Sequence, residues 1–412
     1  MKYGLIGEKL GHSFSKDVHS MLSDYEYELR EIPKDELEGF MLKAEFKAIN
    51  VTIPYKESVI PYLSYISDEA KRIGSVNTVV NRNGKLYGYN TDFLGMVSLI
   101  NKMHLKLEGK KTVILGTGGT SKTAYAVAES LGADPIITVS RTKKDGAIDY
   151  DELMKCHLDA EIIINTTPVG MYPDNHSSPI DISPFSRLEG VIDAIYNPIR
   201  TRLVLDALNR GIKAEGGLYM LVAQAVYAAE IFTSDKYPVE KLSKVFKKIK
   251  RRKENIVLIG MPASGKSTVA SLIGQELSRE VIDTDQMIIN SRGKSIPDIF
   301  NSEGESAFRD YETSEIAKIC SQNNKIIATG GGAVLRKENV QMLKQNGVLF
   351  FIDRPYEKLV PTVDRPLALD LEAIKKRYNE RYPTYVESAD VIIDADDQPI
   401  NVAKKIIGAF YK

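Results

Sequence analysis

Gly260-Met261-Pro262-Ala263-Ser264-Gly265-Lys266-Ser267 fits the spacing G-x-x-x-x-G-K-S/T. Glycines at these positions let backbone N–H groups wrap a phosphate at the start of a helix. The context agrees: the apolar run Ile256–Ile259 enters the loop, and a pattern with Val269, Leu272, Ile273 and Leu277 on one helical face leaves it. Gly260, Ala263, Ser264, Gly265, Lys266, Ser267 and Thr268 are therefore candidate contacts for a nucleoside triphosphate. Lys266 would reach its β- and γ-phosphates, and the Ser267 hydroxyl would hold Mg²⁺. Downstream, Asp283-Thr284-Asp285 sets two carboxylates at alternate positions. One can back the metal while the other accepts a hydrogen bond from an acceptor hydroxyl. Arg309, the run Gly330-Gly331-Gly332 and Arg381 suggest that this acceptor carries an anion, most simply a carboxylate. Taken singly, an arginine is more often a surface ion pair than a ligand.

A second glycine loop, Gly116-Thr117-Gly118-Gly119, lies between Thr112–Leu115 and a helical pattern with Ala124, Val127, Ala128 and Leu131 on one face. In a βαβ unit this is the setting for a dinucleotide pyrophosphate. NAD sites carry an acidic residue about 20 positions on, for the ribose 2′-hydroxyl. Here Ile136–Val139 ends in Ser140-Arg141-Thr142-Lys143-Lys144. No carboxylate repels a 2′-phosphate and Arg141 can pair with one, so NADP(H) is expected. Gly116, Gly118, Gly119, Ser140, Arg141 and Thr142 are its candidate contacts. The reacting groups should lie upstream. Lys56 follows a proline-fixed turn, Asp92 opens a helix, and together they could pass a proton to a carbonyl oxygen as hydride arrives. Gly11-His12-Ser13-Phe14-Ser15 could cradle a carboxylate.

The elements that must position these groups alternate between short β-branched runs and helical patterns, which predicts α/β with mainly parallel sheets. The expected architecture is an α/β substrate domain at 1–100, with helices at 218–250 packing back on it, and a Rossmann-type NADP domain at 101–217. A P-loop kinase domain, a parallel sheet flanked by helices, follows at 254–412. Pro238–Glu254 keeps Val239, Leu242, Val245, Phe246 and Ile249 at helical spacing among its lysines, which predicts an amphipathic helix with a solvated basic face. The 412 residues suit two or three domains. Lys plus Arg and Asp plus Glu each number 55, so no basic excess speaks for nucleic acid or an anionic membrane. Two distant cysteines exclude a disulfide framework and point to a reducing, cytoplasmic setting. No signal peptide is expected, and no apolar run approaches the ~20 residues that span a bilayer.

Residues 254–412 resemble shikimate kinase in the order of these signatures. The resemblance implies ATP and Mg²⁺ at Lys266 and Ser267, and Mg²⁺ at Asp283. It implies shikimate at Asp285, Arg309, Gly331, Gly332 and Arg381, with Asp285 orienting the attacking 3-hydroxyl. It also implies a lid, here the short stretch Val360–Asp370, in which Arg365 is the cation able to fold onto phosphate. The first 250 residues resemble shikimate dehydrogenase through His12–Ser15, Asn50–Lys56, Ser75–Thr78, Asn90–Asp92, the Gly116 loop, Asn165–Met171, Asp193–Pro198 and Gly217–Gln224. That resemblance implies shikimate at Ser13, Ser15, Thr52, Asn77, Asp92, Tyr196 and Gln224, cofactor at Gly217, and catalysis by Lys56. Two residues depart from the family: Lys16 replaces a proline, and Tyr219 a small residue near the nicotinamide end. The combined expectation is a bifunctional enzyme of aromatic amino-acid biosynthesis acting on small molecules, with a homodimer compatible. One rival is an NAD-dependent quinate-type dehydrogenase joined to another small-polyol kinase, against which Arg141 counts. The other is a non-catalytic sensor of pathway intermediates, against which Lys56, Asp92, Lys266 and Asp283 all count.

Overall fold

A computed structural model describes residues 1–10, 14–143, 146–359 and 371–412. The chain forms two compact units. Unit 1 comprises Met1–Met171, Ser177–Asn197 and Asp206–Ile249; unit 2 comprises Tyr172–His176, Pro198–Leu205 and Lys250–Lys412. Both are α/β, as the alternating pattern predicts.

Unit 1 holds two sheets. The first contains β1 (Tyr3–Gly7), β2 (Tyr27–Glu31), β3 (Ala48–Val51), β4 (Tyr65–Ile66), β5 (Thr78–Arg82) and β6 (Lys85–Tyr89), in the order β2-β1-β3-β5-β6-β4. Its β1 pairs in parallel with β2 and β3, whereas β5 runs antiparallel to β3 and β6. The β5–β6 hairpin turns through Asn83-Gly84, both at positive φ, the pair that a type I′ turn requires. The second sheet contains β7 (Thr112–Leu115), β8 (Ile136–Val139), β9 (Ile162–Asn165), β10 (Gly190–Asp193) and β11 (Lys213–Glu215). Its order is β11-β10-β9-β7-β8, with every pair parallel. Strand order reverses between β7 and β9, so a crevice opens there at the carboxyl ends of the strands. The helices Thr91–Lys102 and Leu218–Thr233 pack closely, and Gly95 permits it: a side chain there would meet the Met220 carbonyl at 2.8 Å. The sequence pattern misses β4 and β11, which at two and three residues are too short to show an alternation. The basic segment forms the expected helix, Val239–Lys253, with Leu242, Val245, Phe246 and Ile249 buried.

Unit 2 carries β12 (Asn255–Ile259), β13 (Val281–Asp283), β14 (Ile326–Ala328), β15 (Gly347–Asp353) and β16 (Val391–Asp394), all parallel in the order β13-β14-β12-β15-β16. Alternate residues face opposite cores. Val257, Ile259, Leu349 and Phe351 join one, while Ile256, Leu258, Phe350 and Ile352 join the other. Its two short upstream segments are bonded in. Asn175 hydrogen bonds with Gln345, Ile199 N–H donates to Asn346 Oδ1 at 2.9 Å, and Arg200 donates to the Lys344 and Gly347 carbonyls at 2.7 Å each.

His19 is fully buried in unit 1, stacked on Tyr27 at 4.0 Å, with Nδ1 2.6 Å from Tyr25 Oη. Burial lowers its pKa from 6.5 to about 3. Between these values the unfolded chain binds a proton that the folded chain refuses. Unit 1 should therefore lose stability as pH falls below 6.5, by at most about 1.4 kcal/mol per pH unit from this group. Urea unfolding at pH 7 and 5.5 should show a smaller pH effect in His19→Leu, by roughly 1 kcal/mol. An equal drop in both proteins would acquit His19.

Candidate active sites

In unit 1 the turn after β3 is fixed by Tyr55, which is buried and donates its hydroxyl to the Ile32 carbonyl. The next residue, Lys56, projects its Nζ to 2.6 Å from Asp92 Oδ2. Asp92 sits in the first turn of Thr91–Lys102, capped by the Asn90 side chain accepting from Phe93 N–H at 3.2 Å. The pair is about three-quarters buried and lines a cavity of about 440 Å³. Gly119, Thr120, Tyr196, Gly217 and Gln224 line the same space. The expected proton-transfer pair, two expected substrate contacts and two expected cofactor contacts thus share one cavity. Thr52 is half-buried at the end of β3, and Ser15 begins the helix Ser15–Ser20. Asn77 is buried and accepts from Thr91 N–H at 2.7 Å. Ser13 lies outside the described residues. Lys16 is exposed on the helix Ser15–Ser20. Tyr219 turns its ring edge-on to Phe246 at 5.0 Å and does not line the cavity.

A neighbouring cavity of about 490 Å³ opens where the strand order of the second sheet reverses. Gly116 and Gly118 line it at the end of β7, and Ser140 and Arg141 at the end of β8. Thr142 is exposed and does not line it. Lys143 is paired with Glu152 at 2.7 Å and Asp149 at 3.4 Å, and among the described residues Arg141 is the cation lining the cavity. Tyr150 lines the same space, beyond what the sequence suggested. Its Arg141 neighbour becomes visible only once Val139 and Ile148 bridge.

In unit 2 the glycine-rich loop joins β12 to the helix Lys266–Leu277. Lys266 is buried and its Nζ donates to the Gly260 and Met261 carbonyls at 3.0 and 2.8 Å, holding it inside the loop. Ser267 Oγ donates to Asp283 Oδ2 at 2.7 Å. Asp283 Oδ1 caps the following helix by accepting from Asp285 and Gln286 N–H groups. Among the described residues no group of three His, Cys, Asp or Glu side chains could hold a metal. A hydroxyl and one carboxylate fit Mg²⁺, which takes few protein ligands and completes its shell with phosphates and water. Thr268 is exposed beside Ser267.

A cavity of about 730 Å³ in unit 2 brings together Asp285, Arg309, Gly330, Gly331, Gly332 and Arg381, the residues the sequence suggests for an acceptor, and also Ala263 of the loop. The triple glycine is closely packed: a side chain at Gly331 would meet the rigid Pro262 ring at 2.6 Å. One at Gly330 would displace the carboxylates of Asp285 and Glu312, and one at Gly332 the Arg309 guanidinium. Arg381 donates to the Gly331 carbonyl at 3.1 Å. Arg309, nearly buried, pairs with Glu312 at 2.8 Å and Glu305 at 3.1 Å. Burial pushes the Glu312 carboxyl up, against the pull of Arg309. Glu312 and Arg377, which also line this cavity, escape a reading of spacing alone. So does a more open cavity of about 430 Å³ lined by Arg354 and Pro399. Arg354 follows β15, whose pairing with β12 brings it to the phosphate loop. Arg365 and the whole of 360–370 lie outside the described residues.

Comparison with known proteins bears on both units. Residues 5–79 match the family model described as Shikimate dehydrogenase substrate binding domain, and residues 262–410 the one described as Shikimate kinase. A curated relative, Shikimate dehydrogenase (NADP(+)) of Clostridium beijerinckii, is 39% identical over 246 residues, covering 56% of this chain and 91% of that one. The crystal structure of shikimate dehydrogenase 1 from Peptoclostridium difficile is 40% identical with TM-score 0.54, covering 61% of this chain and 98% of that chain. A shikimate 5-dehydrogenase from Thermus thermophilus, solved with NADP(H) and shikimate, is 26% identical with TM-score 0.54, over 60% of this chain and 99% of that chain.

Proposed function

We propose, for a chain that belongs to the shikimate dehydrogenase family and carries a shikimate kinase domain, two consecutive reactions. Unit 1 reduces 3-dehydroshikimate to shikimate with NADPH. Unit 2 transfers the γ-phosphoryl group of ATP to the 3-hydroxyl of shikimate. The observation that carries the reading is the Lys56–Asp92 pair, set in one cavity with Gly119 and Thr120 of the dinucleotide loop. The enzyme is assigned to the cytoplasm, consistent with its two thiols. The division proposed for its parts is 1–100 with 218–250 for substrate, 101–217 for NADP(H) and 254–412 for the kinase.

When bound, NADPH supplies hydride and ATP the phosphoryl group, with Mg²⁺ offsetting its charge. Lys56 releases a proton to the carbonyl oxygen, and Asp92 holds the ammonium in place. Tyr196 and Gln224 bind the ring from other walls. In unit 2, Arg309 and Arg381 hold the carboxylate, Asp285 accepts the 3-hydroxyl proton, and Lys266 with the loop N–H groups steadies the phosphates. Supplying 3-dehydroshikimate, NADPH and Mg-ATP together should yield shikimate 3-phosphate by mass spectrometry. Shikimate accumulating without the phosphate would sink the kinase half of the reading, and unreacted substrate the reductase half.

The cofactor preference should rest on Arg141. Arg141→Ala should raise KM for NADPH roughly tenfold to hundredfold, the scale of one charge-assisted pair, and scarcely change KM for NADH. An unaltered NADPH/NADH ratio would remove Arg141 from the 2′-phosphate.

A further inference from the structure

Behind the cavity of unit 1 lies a chain of buried polar groups with no part in the proton transfer. Tyr27, Asn50, Asn77, Thr78 and Thr91 are each no more than 6% exposed, and they come from separate elements: β2, β3, the start of β5 and the helix Thr91–Lys102. Tyr27 Oη donates to Asn50 Oδ1 at 2.8 Å. Asn50 Nδ2 donates to Thr78 Oγ1 at 3.1 Å and to the Asn77 carbonyl at 3.3 Å. Thr78 Oγ1, having accepted, turns its own proton to Asn77 Oδ1 at 3.1 Å. Thr91 N–H reaches the same Oδ1 at 2.7 Å.

The direction of these bonds is fixed by chemistry. A backbone N–H can only donate, so the Asn77 atom facing Thr91 must be its carbonyl oxygen. The Thr78 proton can then go to Asn77 Oδ1 at 3.1 Å or to Thr91 Oγ1 at 3.3 Å, and Thr91 Oγ1 can itself donate to Asn77 Oδ1 at 3.2 Å, so both routes lead to that oxygen. The side-chain bonds of Asn77 all fall on Oδ1. Its Nδ2 donors are thereby turned away from the chain, with the amide unable to flip without setting an NH₂ against an N–H.

We propose that Asn50 and Thr78 are positioning residues of the reductase, which lock the amide of Asn77 with its NH₂ presented to the substrate. The inference rests on the proposed function of unit 1 and adds to it the device that sets one of its substrate contacts. Asn50 does not line the cavity; it acts through Thr78 on Asn77. Loss of the Thr78 hydroxyl removes one of the bonds that hold the amide, so the cost should fall on substrate binding and not on the chemical step.

Thr78→Val keeps the β-branched shape and deletes the hydroxyl. KM for 3-dehydroshikimate should rise about tenfold, the scale of one buried hydrogen bond, with kcat within about threefold and KM for NADPH unchanged. Calorimetry without cofactor should show shikimate binding weakened by the same factor. Thr78→Ser, which restores the hydroxyl, should return both to near wild type. Tyr27→Phe removes a bond further up the chain and should raise the same KM about threefold, a second reading should the valine variant fail to fold. A wild-type KM in both Thr78→Val and Tyr27→Phe overturns the proposal. So does a fall in kcat with both KM values shifted together, which is the mark of general damage. Wild-type protein that neither binds shikimate nor reduces the keto acid would instead sink the function proposed for unit 1, a result the variants cannot mimic.

Discussion

Lys56→Ala should lower kcat for reduction of 3-dehydroshikimate on the order of 10²-fold or more, and leave phosphorylation of shikimate unchanged. The size follows from the usual contribution of a positioned proton donor. Alanine also deprives Asp92 of its partner at 2.6 Å, in a pair with side chains only 29% and 20% exposed. A carboxylate alone at that depth repels electron density developing on the carbonyl oxygen, so the residual rate should fall further than loss of the proton alone. The kinase should be spared because Lys56 belongs to unit 1 and the phosphate loop to unit 2. Lys266→Ala should give the mirror result. Equal losses of both activities in either variant would contradict two separate sites.

Arg309→Leu should remove phosphorylation at ordinary shikimate concentrations and destabilise unit 2 by about 3–5 kcal/mol, the usual cost of breaking one side of a buried ion pair. Glu312 is fully buried and has Arg309 as its ion-pair partner at 2.8 Å. Its other oxygen, Oε1, is buried without a hydrogen-bond partner, beside Gly330. Without the guanidinium that charge is left inside the protein. The two effects can be parted. Adding Glu312→Gln to Arg309→Leu removes the stranded charge and should restore most of the thermal stability, while KM for shikimate stays raised at least tenfold. If the double variant also regains the wild-type KM, Arg309 supports the fold and does not hold the substrate.

What could be read in the sequence was local. The phosphate loop, the Gly116 loop, Ser140-Arg141 and Asp283-Thr284-Asp285 each place their chemistry within a few residues of a strand end, and short continuous apolar runs reveal those ends. Lys56 and Asp92 stand 36 residues apart, and their meeting follows from two turns that the sequence marks with Pro54 and Asn90. Glu312, Arg377, Arg354 and Tyr150 escape because nothing local distinguishes them from surface residues. Glu312 and Arg377 lie in helices rich in charge, where an ion pair three or four residues away is the ordinary fate. Arg354 gains its place from the pairing of β15 with β12, nearly a hundred residues back along the chain. Tyr219, where the chain departs from its family, packs its ring on Phe246 of the later helix Val239–Lys253, a partner that spacing alone does not reveal.

The composition of unit 2 bears on how such a gene could be taken apart. Tyr172–His176 and Pro198–Leu205 belong to it, although 44 residues or more of intervening chain, from Asp206 to Ile249, separate them from its main body. They bring Asn175 to Gln345, the Ile199 amide to Asn346, and Arg200 to two carbonyls and, at 3.6 Å, to the buried Glu254. A fragment beginning at Lys250 would turn those polar groups toward water or leave them unmet. A cut at Lys250 therefore keeps the whole stretch that matches the Shikimate kinase model, 262–410, but strips it of these bonds. Moving unit 2 intact onto another protein would mean carrying three stretches of chain, and the last of them alone would need new partners for Gln345, Asn346 and the Lys344 and Gly347 carbonyls.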